Sequence, residues 1–222
     1  MDNLTLQLEN TLIITHPLCF PGIVNLTPTS CSALLIRDPS TRSGMYYINP
    51  QGLSSSPFVQ VYCNMTSTEG VGVTEIGHDN ESRTLVVGYE GAGSYKRSIK
   101  YVISMEHIIA IMNLSKNCEQ LIKYECHGSF IRNGGWWVSR QGSKMNYWGG
   151  AAVNSGKCAC GMADTCAGGG KCNCDANDYT WREDSGYLTD KNTLPVTELR
   201  FCDTGDKREK GYHTLGKLRC WG

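Results

Sequence analysis

The sequence predicts an α+β fold with short strands, few short helices and a disulfide-stapled, loop-rich C-terminal half. Three observations carry this expectation. Residues 158–186, CACGMADTCAGGGKCNCDANDYTWREDSG, hold five of the chain's twelve cysteines and five glycines. They contain almost nothing apolar to bury, so they need covalent or metal staples in place of a core. In PFVQVYCNM, Val59, Val61, Cys63 and Met65 alternate with Gln60, Tyr62 and Asn64, the period of a half-buried strand. Met105, Ile108, Ile109 and Met112 stand at i, i+3, i+4 and i+7, one face of a helix.

The 222 residues are 40% hydrophobic and 19% charged, enough apolar material for a sizeable core. Basic and acidic residues balance at 21 each, and no basic block occurs. That argues against nucleic-acid or polybasic membrane binding. Twelve cysteines are many for a reducing compartment. Glycosylation sequons stand at Asn3, Asn25, Asn64, Asn80 and Asn113, the second weakened by Pro28 just beyond it. Cysteines and sequons together favour an extracellular setting over a cytosolic zinc–thiolate protein. No basic n-region with an apolar run opens the chain, and no window of 18 apolar residues occurs. An extracellular protein with this sequence is then expected to be a piece of something longer, a secreted protein or the ectodomain of a membrane protein.

Residues 1–30 carry scattered apolar residues, prolines and the isolated Cys19, and read as a linker or the end of a preceding module, with a strand at Thr11–Thr15. Ser32–Ile36 forms one or two helical turns stopped by Asp38-Pro39. Gly44–Ile48 is a strand ended by Asn49-Pro50, and Cys31 and Cys63 flank this helix–strand–strand unit, a natural place for a staple. Two further strands are expected in Val71–Ile76 and Thr84–Tyr89. Ser104 caps the helix that begins at Met105, Glu106 faces the positive end of its dipole, and His107 is a cap-side residue. If Cys118–Cys126 is a strand, its two sulfurs share a face roughly 26 Å apart. They cannot bond each other, and each needs a partner far along the chain.

Trp136, Trp137, Tyr147 and Trp148 could stack on sugar rings, but packing beneath a glycine-rich surface is the favoured reading. Within the cluster Cys158, Cys160, Cys166, Cys172 and Cys174, a bridge across a single residue is strained, so each CxC pair is expected to bond outward. Asp175, Asp178, Glu183 and Asp184 offer hard oxygens suited to calcium, although the spacing is not that of an EF-hand. A solvated acidic surface with turn bonds is the favoured alternative. No nucleophile elbow, zinc-protease helix, P-loop or dinucleotide fingerprint occurs, and the five histidines are scattered. No reaction is indicated.

These stretches carry a resemblance. CSALL, SGMYYINP and PFVQVYCNM resemble the opening of fibrinogen-related domains and fibrillar-collagen C-propeptides. From Ser104 onward, SMEHIIAIMNLSKNCEQLIKYEC, WWVSRQGSKMNYWGG, CACGMADTC, CNCDANDYTWREDSGYLTDKNTLPVTELRF and LGKLRCWG look like the fibrinogen-like region of contactin-associated (neurexin-like) cell-adhesion proteins. The resemblance covers about residues 31–222. It implies a non-catalytic, extracellular, mixed α+β module with antiparallel sheets, used in cell adhesion or matrix contact through a protein partner, with a lectin-like glycan binder as the alternative. It implies the bonds Cys31–Cys63 and Cys126–Cys220, with Cys118 joined to a cluster cysteine. Its calcium-binding members use an Asp-x-Asp arrangement from which the acidic set here is offset. Cys19 lies outside the resemblance, and Cys202 stands where the family has glycine. Setting those two aside leaves ten cysteines, an even number, so Cys19 is expected to pair with Cys202, or one of them to bridge to another molecule.

Overall fold

A computed structural model of the chain describes residues 27–53 and 55–222. Cys19, Asn3, Asn25 and the strand expected at Thr11–Thr15 lie outside the described residues. Helix α1 (Cys31–Arg37) starts where Ser30 Oγ accepts the Ala33 N–H at 3.1 Å. It ends at Asp38, which precedes a proline and is extended. Strands β1 (Gly44–Ile48) and β2 (Val59–Asn64) then pair antiparallel. In β2, Val59, Val61 and Cys63 are buried while Gln60 and Tyr62 are exposed, as the alternation requires. β3 (Val73–Ile76), β4 (Thr84–Val86) and β5 (Tyr95–Ser98) are short. Helix α2 (Met105–Leu114) is capped by Ser104, whose hydroxyl also meets His107 Nδ1 at 2.9 Å, so His107 serves the cap. Its buried stripe is Ile108, Ile111 and Met112, with Met105 and Ile109 half-buried. There follow β6 (Asn117–His127), β7 (Trp136–Val138), α3 (Ala159–Met162), β8 (Arg182–Leu188), β9 (Glu198–Phe201) and β10 (Lys210–Trp221).

The strands form two antiparallel sheets. One runs β1-β2-β3-β10-β6-β8 with β4 also on β10, and the other runs β5-β9-β7. β10 is the hub, paired with β6 along one edge and with β3 and β4 in succession along the other. Its buried residues are Gly211, His213 and Leu215, then Leu218 and Cys220. The change of phase falls at a bulge between Leu215 and Leu218, where one extra residue reverses which side chains face inward. The Gly216 carbonyl released there accepts from Gln120 Nε2 and lies 3.0 Å from His78 Nε2. The two sheets meet through Phe201 of β9, which stacks on Tyr124 of β6 at 4.2 Å and 8° and lies 5.6 Å from the His213 ring. His213 is fully buried, its Nε2 is 2.7 Å from the Tyr95 hydroxyl, and burial pushes its pKa down to about 4.

Five disulfides staple this frame: Cys31–Cys63, Cys118–Cys220, Cys126–Cys174, Cys158–Cys172 and Cys160–Cys166. The expected Cys126–Cys220 bond is corrected. The antiparallel register of β6 on β10 puts Cys118 directly opposite Cys220, with Cα atoms 4.1 Å apart, while Cys126 faces Gly211 at the other end. Cys118 is therefore not joined to the cluster. Cys126 is, through Cys174. Neither CxC pair is bridged internally, and with all five cluster cysteines oxidised no zinc–thiolate set exists there. Among the described residues Cys202 is buried without a disulfide partner, and burial pushes its thiol up to about 11.

Residues 139–181 are loop-rich, holding only α3 and two short 3-10 turns. The chain beyond them is not, because it supplies β8, β9 and the longest of the described strands.

Candidate functional site

A cleft of about 490 Å³ opens between the segment around β7 and the stapled loops. Its floor is the buried Met145, Tyr147, Trp148 and Cys172. Its rim carries Arg132, Lys144, Lys157 and Lys171 around the half-buried Trp136. The rim is tied down by backbone bonds: Trp148 N–H donates to Lys157 O and Cys158 N–H to Lys171 O, both at 3.0 Å. The Cys158–Cys172 disulfide locks the two loops together. Gly149 permits the close approach of the 149–150 segment to β8, since a Cβ there would stand 2.1 Å from Gly186 O. Gly93, at φ +62°, does the same for Trp136, whose ring a Cβ would strike.

Among the described residues only one of the four rim cations meets a carboxylate. Lys157 reaches the exposed Asp164 at 3.6 Å. Among the described residues, Arg132, Lys144 and Lys171 pair with no carboxylate. Lys144 Nζ sits 3.7 Å from the Trp136 ring centroid, a cation–π contact. The cleft can therefore hold a negatively charged group against a rigid apolar floor.

Of the four aromatic residues considered as sugar contacts, three are core. Trp137 and Trp148 are 0% and 2% exposed and Tyr147 is 5% exposed. The Trp137 indole N–H donates to Tyr147 O and that of Trp148 to Asp184 O, so both polar edges are satisfied inside. Tyr147 and Trp148 reach the cleft only as its buried floor, and Trp136 is the one of the four that is partly exposed there.

The proposed calcium set is corrected as well, because the fold gives each carboxylate its own local partners. Asp184 is buried and its two oxygens accept the Asn173 and Cys174 N–H groups at 2.9 Å, anchoring the second 3-10 turn to β8. Burial raises its pKa. Asp175 accepts the Arg132 and Cys172 N–H groups. Asp178 pairs with Arg182, which holds its carboxyl below the usual range, and Glu183 pairs with Lys123 at 2.7 Å. They act as turn anchors and ion pairs, not as one ligand shell. The Cys158 and Cys172 sulfurs lie near Asp184, but they are bonded to each other and offer no thiolate.

The sequons also divide. Asn113 is exposed and Asn64 half-buried, whereas Asn80 is only 6% exposed, with its amide 3.5 Å from His213 Nδ1. A glycan has no room at Asn80, which corrects that expectation. Glycopeptide mapping of the secreted protein is expected to find Asn80 unmodified, and a glycan there would contradict this packing.

Sequence reasoning named Trp136 but not the four cations. They are isolated residues spread over 40 positions, with no run or spacing to mark them, and only the disulfide-locked loops gather them.

The fold and the cleft define a disulfide-stapled, antiparallel α+β domain, a construction suited to an oxidising compartment. The chain is 38% identical over 175 residues to neurexin-4 of Drosophila melanogaster, which covers 73% of this chain and 14% of that protein. It is 36% identical over 189 residues to contactin-associated protein 1 of Mus musculus, covering 81% of this chain and 13% of that protein. The chain is thus homologous to one segment of each and spans only a small part of the relatives it matches. No protein-family model matches the chain. Among the described residues no helix is long and apolar enough to cross a membrane.

Proposed function

We propose that this chain is a non-catalytic extracellular recognition module of a larger cell-adhesion protein, whose cationic cleft takes an acidic segment of a protein partner on another cell or in the matrix. The observation that carries this reading is the set of three cations that have no carboxylate partner among the described residues, around a disulfide-locked apolar floor. Homology to segments of neurexin-4 and contactin-associated protein 1 supports it, as do the five disulfides. In this reading residues 31–222 are the fibrinogen-like domain and residues 1–30 a linker or the end of a preceding module. Asn64 and Asn113 carry glycans, and Cys19 pairs with Cys202.

Trp136 favours a second reading, a glycan ligand. The Lys144 ammonium over that ring makes an anionic sugar the form that would suit it. Fluorescent multimers of the domain on cells test both. The triple variant Arg132→Ala, Lys144→Ala, Lys171→Ala is expected to lose about tenfold or more in binding, because removed interface charges act on encounter and complex lifetime. Unchanged binding would sink the cleft as the recognition site. Binding that survives protease but not glycosidase treatment of the cells would favour the glycan.

A further inference from the structure

Away from the cleft, two loops bring together three carboxylates far apart in sequence. Glu90 follows β4, Asp203 follows β9 and Glu209 precedes β10, and one oxygen from each lies within 4.8 Å of the others. The loops are tied by backbone bonds, Gly88 N–H to Thr204 O and Thr204 N–H to Tyr89 O. The turn before β10 is closed by Asp206 N–H donating to Glu209 Oε2 at 2.9 Å. Gly205 leaves the space that the Glu90 carboxylate occupies, since a Cβ there would stand 2.4 Å from Glu90 Oε2. Among the described residues no Lys or Arg pairs with any of the three.

The second observation is at Asp203. This side chain is only 9% exposed, and among the described residues its Oδ2 is buried with no hydrogen-bond partner, the Phe130 N–H and the Asn177 side chain serving the rest of the carboxyl. A carboxylate oxygen withdrawn from water without a donor is costly, and two further carboxylates facing it add repulsion. A bound cation removes both penalties. Oxygen ligands on opposite sides of calcium at about 2.4 Å stand at most about 4.8 Å apart, and no two of these oxygens lie farther apart than that. Glu90 is exposed and Glu209 half-buried, leaving water to complete the six to eight oxygens that calcium takes.

We propose that Glu90, Asp203 and Glu209 form a calcium site that clamps the loop after β4 to the β9–β10 turn. It is distinct from the acidic set at residues 175–184 and does not rest on the cleft reading. Calorimetric titration of the chelator-stripped protein with calcium chloride is expected to show one site with Kd on the order of 0.1–1 mM, the range of extracellular calcium modules. The melting temperature should rise with calcium, because the ion binds only the folded state. The variant Glu90→Gln, Glu209→Gln changes one exposed and one half-buried carboxylate, keeps an amide oxygen to accept the Asp206 N–H, and should fold without calcium as the parent does. Its affinity should fall about tenfold or more, because it loses two of the three ligand charges. The variant Asp178→Asn should bind as the parent does. A parent protein with neither saturable heat nor a melting shift at about ten times that range would overturn the site, and so would undiminished binding by the double variant.

Discussion

Replacing Cys126 and Cys174 together by alanine is expected to lower stability by about 4 kcal/mol, measured by urea denaturation of the secreted variant. The bond spans 48 residues, and chain-entropy arguments scale its contribution with the logarithm of the loop it closes. Its position adds a structural reason. Residues 158–181 have few apolar side chains to hold them, and this bond pins their last 3-10 turn to β6 beside the Tyr124–Phe201 stack. Cys160–Cys166 closes only 6 residues, so its removal is expected to remove about half as much, roughly 2 kcal/mol. Both variants delete bridged cysteine pairs and leave no odd thiol. An equal loss for the two, or none for the longer bridge, would mean that the loops are held by something other than this staple.

Acid is expected to destabilise the domain through His213. Its imidazole lies between the two sheets among Phe201, Tyr124, Tyr95 and Asn80, with Arg97 the nearby cation that also opposes its protonation. Burial is the larger cause of its depressed pKa of about 4. An unfolded histidine titrates near 6.5. The unfolded state therefore takes up the proton first as pH falls, so the stability held above about pH 6.5 declines below it. The decline from this group is complete only below its folded pKa of about 4. At pH 5 the loss is about 2 kcal/mol, from roughly 1.4 kcal/mol per pH unit. Asp184 and Asp203, whose carboxyls are raised by burial, act in the opposite direction. The comparison is therefore the parent against His213→Gln, which keeps an acceptor for Tyr95. Denaturation at pH 7 and pH 5 should show a smaller pH dependence in the variant. Equal dependence in both would remove His213 as the cause.

The elements that could be read in advance are those with a short, unbroken local signal. The cap of α2, the alternation in β2 and the long strand β6 all appear within a residue or two of expectation, while the buried stripe of α2 keeps Ile108 and Met112 but is completed by Ile111 where Met105 and Ile109 are half-buried. The preference for buried tryptophans and for disulfides over zinc rested on equally local chemistry. β8 and β10 escaped notice for a physical reason. β8 is REDSGYL, polar at most positions because its burial pattern is irregular. β10 contains two glycines, and its bulge reverses the alternation halfway along, so no window shows a single period. In the acidic run at residues 175–184 adjacency in sequence is not convergence in space, and the local turn bonds favoured there are what the carboxylates make. Asp184 points into the fold while Asp178 and Glu183 pair at the surface.

Amino-acid order alone was enough to show that this domain needs staples in place of part of a core, with disulfides favoured over metal, that its strands are half-buried and that its second helix presents one apolar stripe. Those properties follow from interactions among residues a few positions apart. Which cysteine meets Cys220, which cations share a cleft, and which carboxylates face one another were settled only by the tertiary structure. Each depends on the register of β10 between β3, β4 and β6, and on loops closed across as many as 102 residues. Contacts made over such separations are selected by the packing of both sheets at once, and no local stretch of chain contains that information.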